Sequence, residues 1–314
     1  MAKKPAEDPE APYRDGSFLR YYRAVNETHR DYLVYELGPR GFYAEISSVA
    51  RAMIWAWQHR LQFALGSKHF AYRCRDGWSD YFQPFCRDAC EVPEERVHDC
   101  FRFENRAGLG ELRAFAPASV RFGTRAFTRP VPQIAHFMRL IFRLSYDSGR
   151  AVVRLRETLR LPEDYVALHI RRGDKVGDED VQYPVERYFR RLHEIGGLDA
   201  RALFVMSDDY ATVDEVRTYL ESTGQTNRVV TLCQREHTGF SVNKLQRGED
   251  FTGPGRHFEN AESYRSYVRT EVDRLLAETL IATAASRLVT TRRSNVGRTI
   301  RALRPDESTS GVLG

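Results

Sequence analysis

The sequence has no apolar run that approaches the roughly 18–20 residues of a membrane-spanning helix. Its first ten residues, MAKKPAEDPE, carry charge without an apolar core, so we do not expect a secretory signal. The net charge of +5 is spread along the chain, whereas nucleic-acid-binding proteins concentrate basic residues on one face. We therefore expect a chain without a membrane span and without nucleic acid as its partner.

Several common catalytic signatures are also missing. The sequence contains no Walker loop, no H-E-x-x-H motif and no G-x-S-x-G motif. It has no Asp-x-Asp pair of the metal-chelating kind, because Asp178 and Asp180 flank Glu179 within a cationic loop. We therefore predict no metal site and no resident cofactor.

Cysteine is sparse, with five residues at positions 74, 86, 90, 100 and 233. Only Cys86 and Cys90 lie close together, whereas a structural zinc site usually needs two such pairs. Ordinary thiols in a reducing compartment are the favoured interpretation. The alternative is a lumenal domain with local disulfides, in which Asn26-Glu-Thr28 would be a glycosylation acceptor.

The chain of 314 residues is 42% hydrophobic and 12% aromatic, which is typical of a globular protein. Strands alternate with helices, and this pattern predicts an α/β fold with parallel sheets covered by helices. Strands are predicted at 31–37, 165–170, 202–206, 228–232 and 287–291, and helices at 46–65, 132–160 (broken near 147–149), 184–195, 211–222 and 263–285. We expect a partly disordered segment at 1–30, an N-terminal α/β domain at 31–150 and a C-terminal Rossmann-type domain at 151–314.

A highly charged loop follows the strand predicted at 165–170, and its sequence from His169 to Glu179 is HIRRGDKVGDE. Ligands of open α/β sheets bind beyond the carboxyl ends of strands, which is where this loop begins. Arg171 and Arg172 offer planar donors that match phosphate oxygens, and Lys175 adds a further positive charge. In the same loop, Asp174 could hold one arginine in place and Glu179 could remove a proton. The alternative for such a loop is a surface network of ion pairs.

Two other predicted strands end in polar residues of compatible chemistry. Asp208 and Asp209 follow one strand, and Ser294 lies after the strand predicted at 287–291, where a helix begins. Backbone N–H groups at a helix start, together with the Ser294 hydroxyl, would bind an anion. Both segments could equally be ordinary helix caps. Because parallel strands end at one edge of a sheet, we expect the three segments to converge there.

These motifs resemble those of the α1,6-fucosyltransferase superfamily, which includes the core N-glycan and the rhizobial Nod-factor enzymes. The loop matches the donor-binding signature in almost every position, although Gly173 stands where the animal core enzyme has Thr. The resemblance extends over roughly residues 31–300, and its further matches are Gly41–Glu45, Tyr183–Tyr188, Asp208-Asp209 and Glu278–Arg298.

The resemblance implies a GT-B-like architecture of two Rossmann-type domains and an inverting, metal-independent transfer of fucose from GDP-fucose. It implies that His169 and Glu278 contact the guanosine, with Glu278 standing where the core enzyme has Asp. Arg171 would hold the β-phosphate, with Arg172, Ser294 and the Gly41 loop nearby. By the same resemblance, the remaining roles go to Glu179 as general base and to Asp208 and Asp209 as supports for the arginines and the acceptor side.

The chain departs from the animal core enzyme because it lacks that enzyme's long helical preface and its C-terminal β-barrel. The acceptor is therefore open, although the resemblance favours α1,6 transfer to a glycan containing N-acetylglucosamine. We expect a cytoplasmic location for a bacterial-type enzyme, or the Golgi or secretory lumen for an excised catalytic domain. Two alternatives remain: a transferase of the same fold that uses another nucleotide sugar, and a non-catalytic protein that binds a glycan or nucleotide.

Overall fold

The computed structural model describes residues 17–101, 134–172, 182–237, 252–253, 256–258 and 260–314. The chain divides into two compact units. The first consists of Met1–Pro39, Glu45–Phe70 and Phe82–Arg143, and the second of Arg40–Ala44, Ala71–Tyr81 and Leu144–Gly314. The second unit thus includes two short segments from the N-terminal half of the chain.

The helices are α1 (Ser17–Asn26), α2 (Phe42–Gln58), α3 (Trp78–Tyr81), α4 (Ile134–Ile141), α5 (Tyr146–Leu159), α6 (Val185–Glu194), α7 (Tyr210–Ser222), α8 (Ala261–Ala284) and α9 (Asn295–Leu303). The strands are β1 (Tyr32–Glu36), β2 (Gln62–Gly66), β3 (Arg87–Asp88), β4 (Val97–Phe101), β5 (Val166–Ile170), β6 (Ala202–Ser207), β7 (Arg228–Val230), β8 (Thr252–Gly253), β9 (Arg256–His257), β10 (Arg287–Thr291) and β11 (Ser310–Leu313).

The first unit contains a parallel sheet with the strand order β3-β2-β1-β4. The central strand β1 is buried along most of its length. Its side chains are apolar or aromatic at every position before Glu36, as expected for a strand covered on both faces. Helix α2 carries the matching apolar stripe, because Ile46, Val49 and Met53 are fully buried.

The second unit contains a five-stranded parallel sheet with the order β11-β10-β5-β6-β7. Alternate residues of β5 face opposite sides: Val166 and Leu168 pack with the helices α6 and α7, whereas Ala167 packs with α8 and α9. The chain starts in the middle of the sheet and winds outward in both directions, as doubly wound α/β domains do. The predicted α/β class with mostly parallel sheets is therefore confirmed.

The helix predicted at 46–65 is wrong at both ends. Helix α2 begins at Phe42 and ends at Gln58, and β2 follows at once. The helix ends because Arg60 adopts the left-handed conformation (φ 56°) and the Leu61 N–H donates to the Ala56 carbonyl at 2.9 Å. Such an end is usually marked by glycine, so an arginine in this place hides the boundary from the sequence pattern.

Other boundaries differ in smaller ways. The break predicted near 147–149 lies before Tyr146, because Ser145 caps α5 by accepting the Ser148 N–H. Strands β4 and β11 were not predicted, and each lies at an edge of its sheet. Of the segment predicted at 1–30 to be partly disordered, residues 17–26 form α1, and residues 1–16 lie outside the described part.

The structure describes Asn26 and the cysteines, the residues that the lumenal alternative concerns. The Asn26 side chain is buried, and its Oδ1 accepts the Phe63 N–H at 3.2 Å. The five cysteines form no disulfide with one another. Within the described ranges, no helix is both long and apolar enough to cross a membrane.

The long helix α8 ends against a buried arginine. Arg304 is 4% exposed, and its Nη1 donates to the carbonyl oxygens of Ala282, Thr283 and Ala285 at 2.8–3.2 Å. The last carbonyls of a helix have no partner within the helix and carry its negative dipole end. Arg304 therefore stabilises the C-terminus of α8, the helix that carries Glu278.

We predict that Arg304→Met lowers the free energy of unfolding by about 3 kcal/mol, because several buried carbonyl groups lose their donor. Urea unfolding of the purified variant measures this change. The matched control is Arg301→Met on α9, three residues before Arg304, because the partner Glu307 is exposed and the loss of this pair should cost less than about 1 kcal/mol. Equal losses in the two variants would contradict the prediction.

Candidate functional site

The carboxyl edge of the second unit's sheet has a topological switch point between β5 and β10. These adjacent strands pair directly, but the chain leaves them in opposite directions. From β5 it continues to β6 on one side, and from β10 it continues to β11 on the other side. A crevice at such a point is the usual ligand position in open α/β folds. The strands β5, β6 and β10 all end at this edge, so the three segments predicted to converge do converge.

Arg171 and Arg172 begin the loop that follows β5, and Asp208 at the end of β6 binds both. One carboxylate oxygen of Asp208 lies 3.1 Å from Arg171 Nη1, and the other accepts the Arg172 backbone N–H at 2.9 Å. Asp208 thus neutralises part of the positive charge at the loop entrance. It also determines the direction in which the backbone leaves the strand.

The two arginines have different surroundings. The Arg172 side chain is 7% exposed and donates to the Tyr183 carbonyl at 2.8 Å and to Glu215 at 3.0 Å. Its two Nη groups therefore bind the chain just before α6 and the helix α7. The Arg171 side chain is 20% exposed and is the better placed of the two to meet an anion at this edge.

His169 lies inside β5, and its ring is buried. Its Nδ1 is 2.8 Å from Thr290 Oγ1 on the neighbouring strand β10. Burial, followed by the positive charge of Arg171, lowers the pKa of His169 to about 3, so the imidazole is neutral at physiological pH. The predicted contact with a guanosine therefore has to be made by a neutral ring held between two strands.

Asp209 has a different role from Asp208 in this structure. It is the N-cap of α7, and its Oδ1 accepts the Ala211 N–H at 3.0 Å. The two interpretations of this pair, helix capping and support of an arginine, thus apply to one residue each. The predicted acceptor-side role of Asp209 stays a prediction.

The third strand end is shaped by Ser294 and Gly297. Ser294 is the N-cap of α9, and its Oγ accepts the Gly297 N–H. A Cβ at Gly297 would lie 2.1 Å from Thr290 Oγ1. Only glycine therefore lets the helix start so close to β10, where Thr290 also holds His169. This packing accounts for the Ser-x-x-Gly spacing in the sequence.

Glu278 on α8 is a buried carboxylate, only 2% exposed. Its Oε1 lies 3.3 Å from Arg274 Nη1. Burial raises the pKa of Glu278 to about 7, although Arg274 acts in the opposite direction. A carboxylate that is ionised only in part at neutral pH is typical of a functional site rather than of a stabilising ion pair.

The segment Arg40–Ala44, which contains the Gly41 turn, contacts α8 within the second unit. The Tyr43 hydroxyl forms a hydrogen bond with the hydroxyl of Thr279, the neighbour of Glu278, and the Phe42 N–H donates to the Tyr72 hydroxyl at 2.9 Å. A Cβ added to Gly41 would meet no atom within 4 Å. The backbone at Gly41 is therefore open to close approach by a ligand.

The structure adds residues that the sequence analysis missed. Glu215 and the Tyr183 carbonyl hold Arg172, and Arg274, Glu271 and His237 lie around Glu278. The spacing of the charges at 271, 274 and 278 places them on one helix face and could have indicated this group. Three predicted site residues, Asp174, Lys175 and Glu179, lie outside the described residues.

No protein-family model matches the chain, and no curated protein matches its sequence. Among solved structures, POFUT1 in complex with GDP-fucose is similar with a TM-score of 0.51 and 10% identity, over 91% of this chain and 98% of POFUT1. POFUT1 in complex with GDP is similar with a TM-score of 0.50 and 12% identity, over 91% of this chain and 99% of POFUT1. The fucosyltransferase NodZ from Bradyrhizobium has a TM-score of 0.48 and 10% identity, over 88% of this chain and 94% of NodZ.

Identities this low describe the fold alone, and for the fold the two POFUT1 structures agree with the family expected from the motifs. At the level of its fold alone, the chain is therefore similar to POFUT1.

Proposed function

We propose that the protein is a GDP-fucose-dependent glycosyltransferase that transfers L-fucose to a hydroxyl group of a glycan acceptor. The observation that carries this proposal is the pairing of Arg171 with Asp208 at the switch point of the sheet. There a guanidinium bound by a carboxylate lies at the sheet edge where a ligand of this fold would bind. The fold shared with POFUT1 and the signature around Arg171 support the same activity.

The nucleotide would bind along the edge formed by β5, β10 and α8. Glu278 would accept the N1–H and N2–H groups of guanine, and the Gly41 backbone and the start of α9 at Ser294 would lie near the phosphates. Glu278 is buried, and the other groups belong to the backbone. Binding would therefore cost little conformational entropy in the protein.

In the reaction, an acceptor oxygen would form a bond to fucose C1 while the bond from C1 to the β-phosphate oxygen breaks. GDP leaves as negative charge grows on that phosphate. Arg171, with Lys175 from the same loop, would stabilise this charge as it develops, which accelerates the step more than ground-state binding does. These cations would take the place of a divalent metal, so we propose a metal-independent transfer with inversion at C1.

Glu179 is the proposed general base, on the strength of its place in the signature. It would take the proton of the acceptor hydroxyl as the new bond forms. The proposed acceptor is an N-acetylglucosamine-type sugar with α1,6 linkage, on the same grounds.

A product assay tests the activity directly. The protein is incubated with GDP-fucose and a panel of glycans in the presence of EDTA, and products are analysed by mass. Transfer from GDP-fucose, with GDP-mannose and UDP-sugars inactive, is the expected result. If only another donor supports transfer, the sugar of that donor takes the place of fucose in the proposal.

We predict that Arg171→Ala lowers kcat/KM for fucose transfer by about 30- to 1000-fold, which corresponds to about 2–4 kcal/mol of transition-state stabilisation. Steady-state kinetics with GDP-fucose measures the change. Arg190→Ala, an exposed arginine on α6, is the control and should keep its rate. A loss of less than tenfold in Arg171→Ala would contradict the phosphate role.

We predict that Glu179→Gln abolishes transfer but leaves GDP affinity within about threefold, because the amide cannot accept the proton while the loop keeps its cations. Calorimetric titration with GDP and the product assay measure the two effects. Asp180→Asn in the same loop serves as the control. If Glu179→Gln loses GDP binding as well, Glu179 is not a dedicated base.

We predict that GDP affinity rises as the pH increases from about 6 to about 8, because only ionised Glu278 accepts both guanine N–H groups. Below the Glu278 pKa, affinity should fall about tenfold per pH unit as a proton must be released on binding. Titrations with GDP at several pH values measure this dependence. Glu278→Gln should bind GDP more weakly and without that dependence, and identical profiles for the two proteins would exclude the role of Glu278.

A further inference from the structure

Helix α8 presents three charged side chains on one face, at positions 271, 274 and 278. Arg274 lies between two carboxylates and uses a different nitrogen for each. Its Nη2 is 2.6 Å from Glu271 Oε2, and its Nη1 is 3.3 Å from Glu278 Oε1. The guanidinium is therefore held tightly by Glu271 and only loosely by Glu278.

The three side chains are mostly shielded from water. Arg274 is 15% exposed, Glu271 is 11% exposed and Glu278 is 2% exposed. Ion pairs on exposed helix surfaces contribute little to stability, but a cation beside a buried carboxylate strongly affects whether that carboxylate is charged. The position of Arg274 thus matters more for the state of Glu278 than for the stability of the helix.

Glu271 has a second partner that keeps it in place. His237, in the segment after β7, places its Nε2 3.5 Å from Glu271 Oε1, and its Nδ1 accepts the Gln234 N–H at 2.8 Å. Although burial acts to raise it, the contacts with His237 and Arg274 hold the pKa of Glu271 at about 2. Glu271 is therefore a permanent anion that anchors Arg274.

The charged and titratable groups around Glu278 come from several elements. Arg274 on the same helix and His237 after β7 lower its pKa, whereas Glu271 on the same helix and Asp208 at the end of β6 raise it. Tyr43, from the Gly41 turn, and Cys233, after β7, also lie in its electrostatic environment. Burial outweighs the positive charges, and Arg274 is the strongest opposing group.

We propose that Arg274 is a positioning residue: anchored by Glu271, it holds Glu278 as a charged acceptor for the base of a guanine nucleotide while occupying only part of its carboxylate. This inference rests on the proposed function for its ligand. A carboxylate has about four lone-pair directions, so one long bond from Arg274 leaves room for two donors of a purine base. Arg274 itself does not touch the base.

Two substitutions around Glu278 have opposite expected effects. Arg274→Met removes the positive neighbour and should raise the Glu278 pKa by about one unit or more, which makes the carboxyl about tenfold harder to ionise. Glu271→Gln removes a negative neighbour and leaves Arg274 with Glu278 alone, so it should lower the Glu278 pKa. A purely structural role of the ion pairs gives no reason for opposite signs.

The experiment measures the Glu278 pKa in the whole protein without nucleotide. Glutamate is labelled with ¹³C at Cδ, the Glu278 resonance is assigned by its absence in Glu278→Gln, and its shift is followed against pH. Arg269→Gln is the matched control, because Arg269 also forms an ion pair on α8, with Asp273 four residues away, but is not one of the main groups that shift the Glu278 pKa. This control should leave the Glu278 pKa unchanged.

GDP titrations of the same variants give the functional readout. The pH at which GDP affinity is half-maximal should move upward in Arg274→Met and downward in Glu271→Gln, by the amounts seen in the Glu278 pKa. At high pH, where Glu278 is ionised in every protein, the affinity of Glu271→Gln should return to that of the unmodified protein.

An unchanged Glu278 pKa in Arg274→Met, or a raised one in Glu271→Gln, overturns the inference, and Glu271→Gln decides alone if Arg274→Met fails to fold. If the protein binds GDP but the Glu278 pKa does not shift in these variants, the proposed function stands and Arg274 has no positioning role in it. Shifts of opposite sign in a protein that binds no GDP leave the control of Glu278 by Arg274 in place and refute the guanine site.

Discussion

The Asp208 carboxylate connects the ends of the two central strands β5 and β6, and the geometry of the candidate site depends on it. One oxygen binds the Arg172 backbone and the other binds the Arg171 side chain. Two adjacent arginines at the end of a buried strand repel each other and are costly to desolvate unless an anion compensates them. Asp208 supplies that anion and orients the loop entrance toward the switch point.

Neighbouring residues of the same type have separate tasks at this edge. Arg172 is buried and binds the Tyr183 carbonyl and Glu215 on α7, whereas Arg171 remains partly exposed. Likewise, Asp209 caps α7, and Asp208 binds the arginines. Because successive residues leaving a strand point to opposite sides, such a division arises directly from the backbone. It provides both a rigid frame and a polar surface for a ligand.

The sequence predicted much of this fold because its signals are local. The strand at 287–291 has the predicted bounds, and its buried residues read as a continuous apolar and β-branched run. The prediction failed where a local signal was missing, as at Arg60, which ends α2 in a conformation that usually calls for glycine. The ion pairs around Glu278 were missed for a related reason, since charged residues at helical spacing usually face solvent.

The sequence by itself determined the α/β class, the residues at the strand ends and the chemistry that they bring. Periodic burial and helix capping act over a few residues, so they can be read along the chain. The partners of those residues were decided only by the tertiary structure. Asp208 binds Arg172 across 36 residues and His169 meets Thr290 across 121. Such pairs follow from the order in which strands assemble into a sheet, and that order is determined by the packing of helices on both faces rather than by any local pattern.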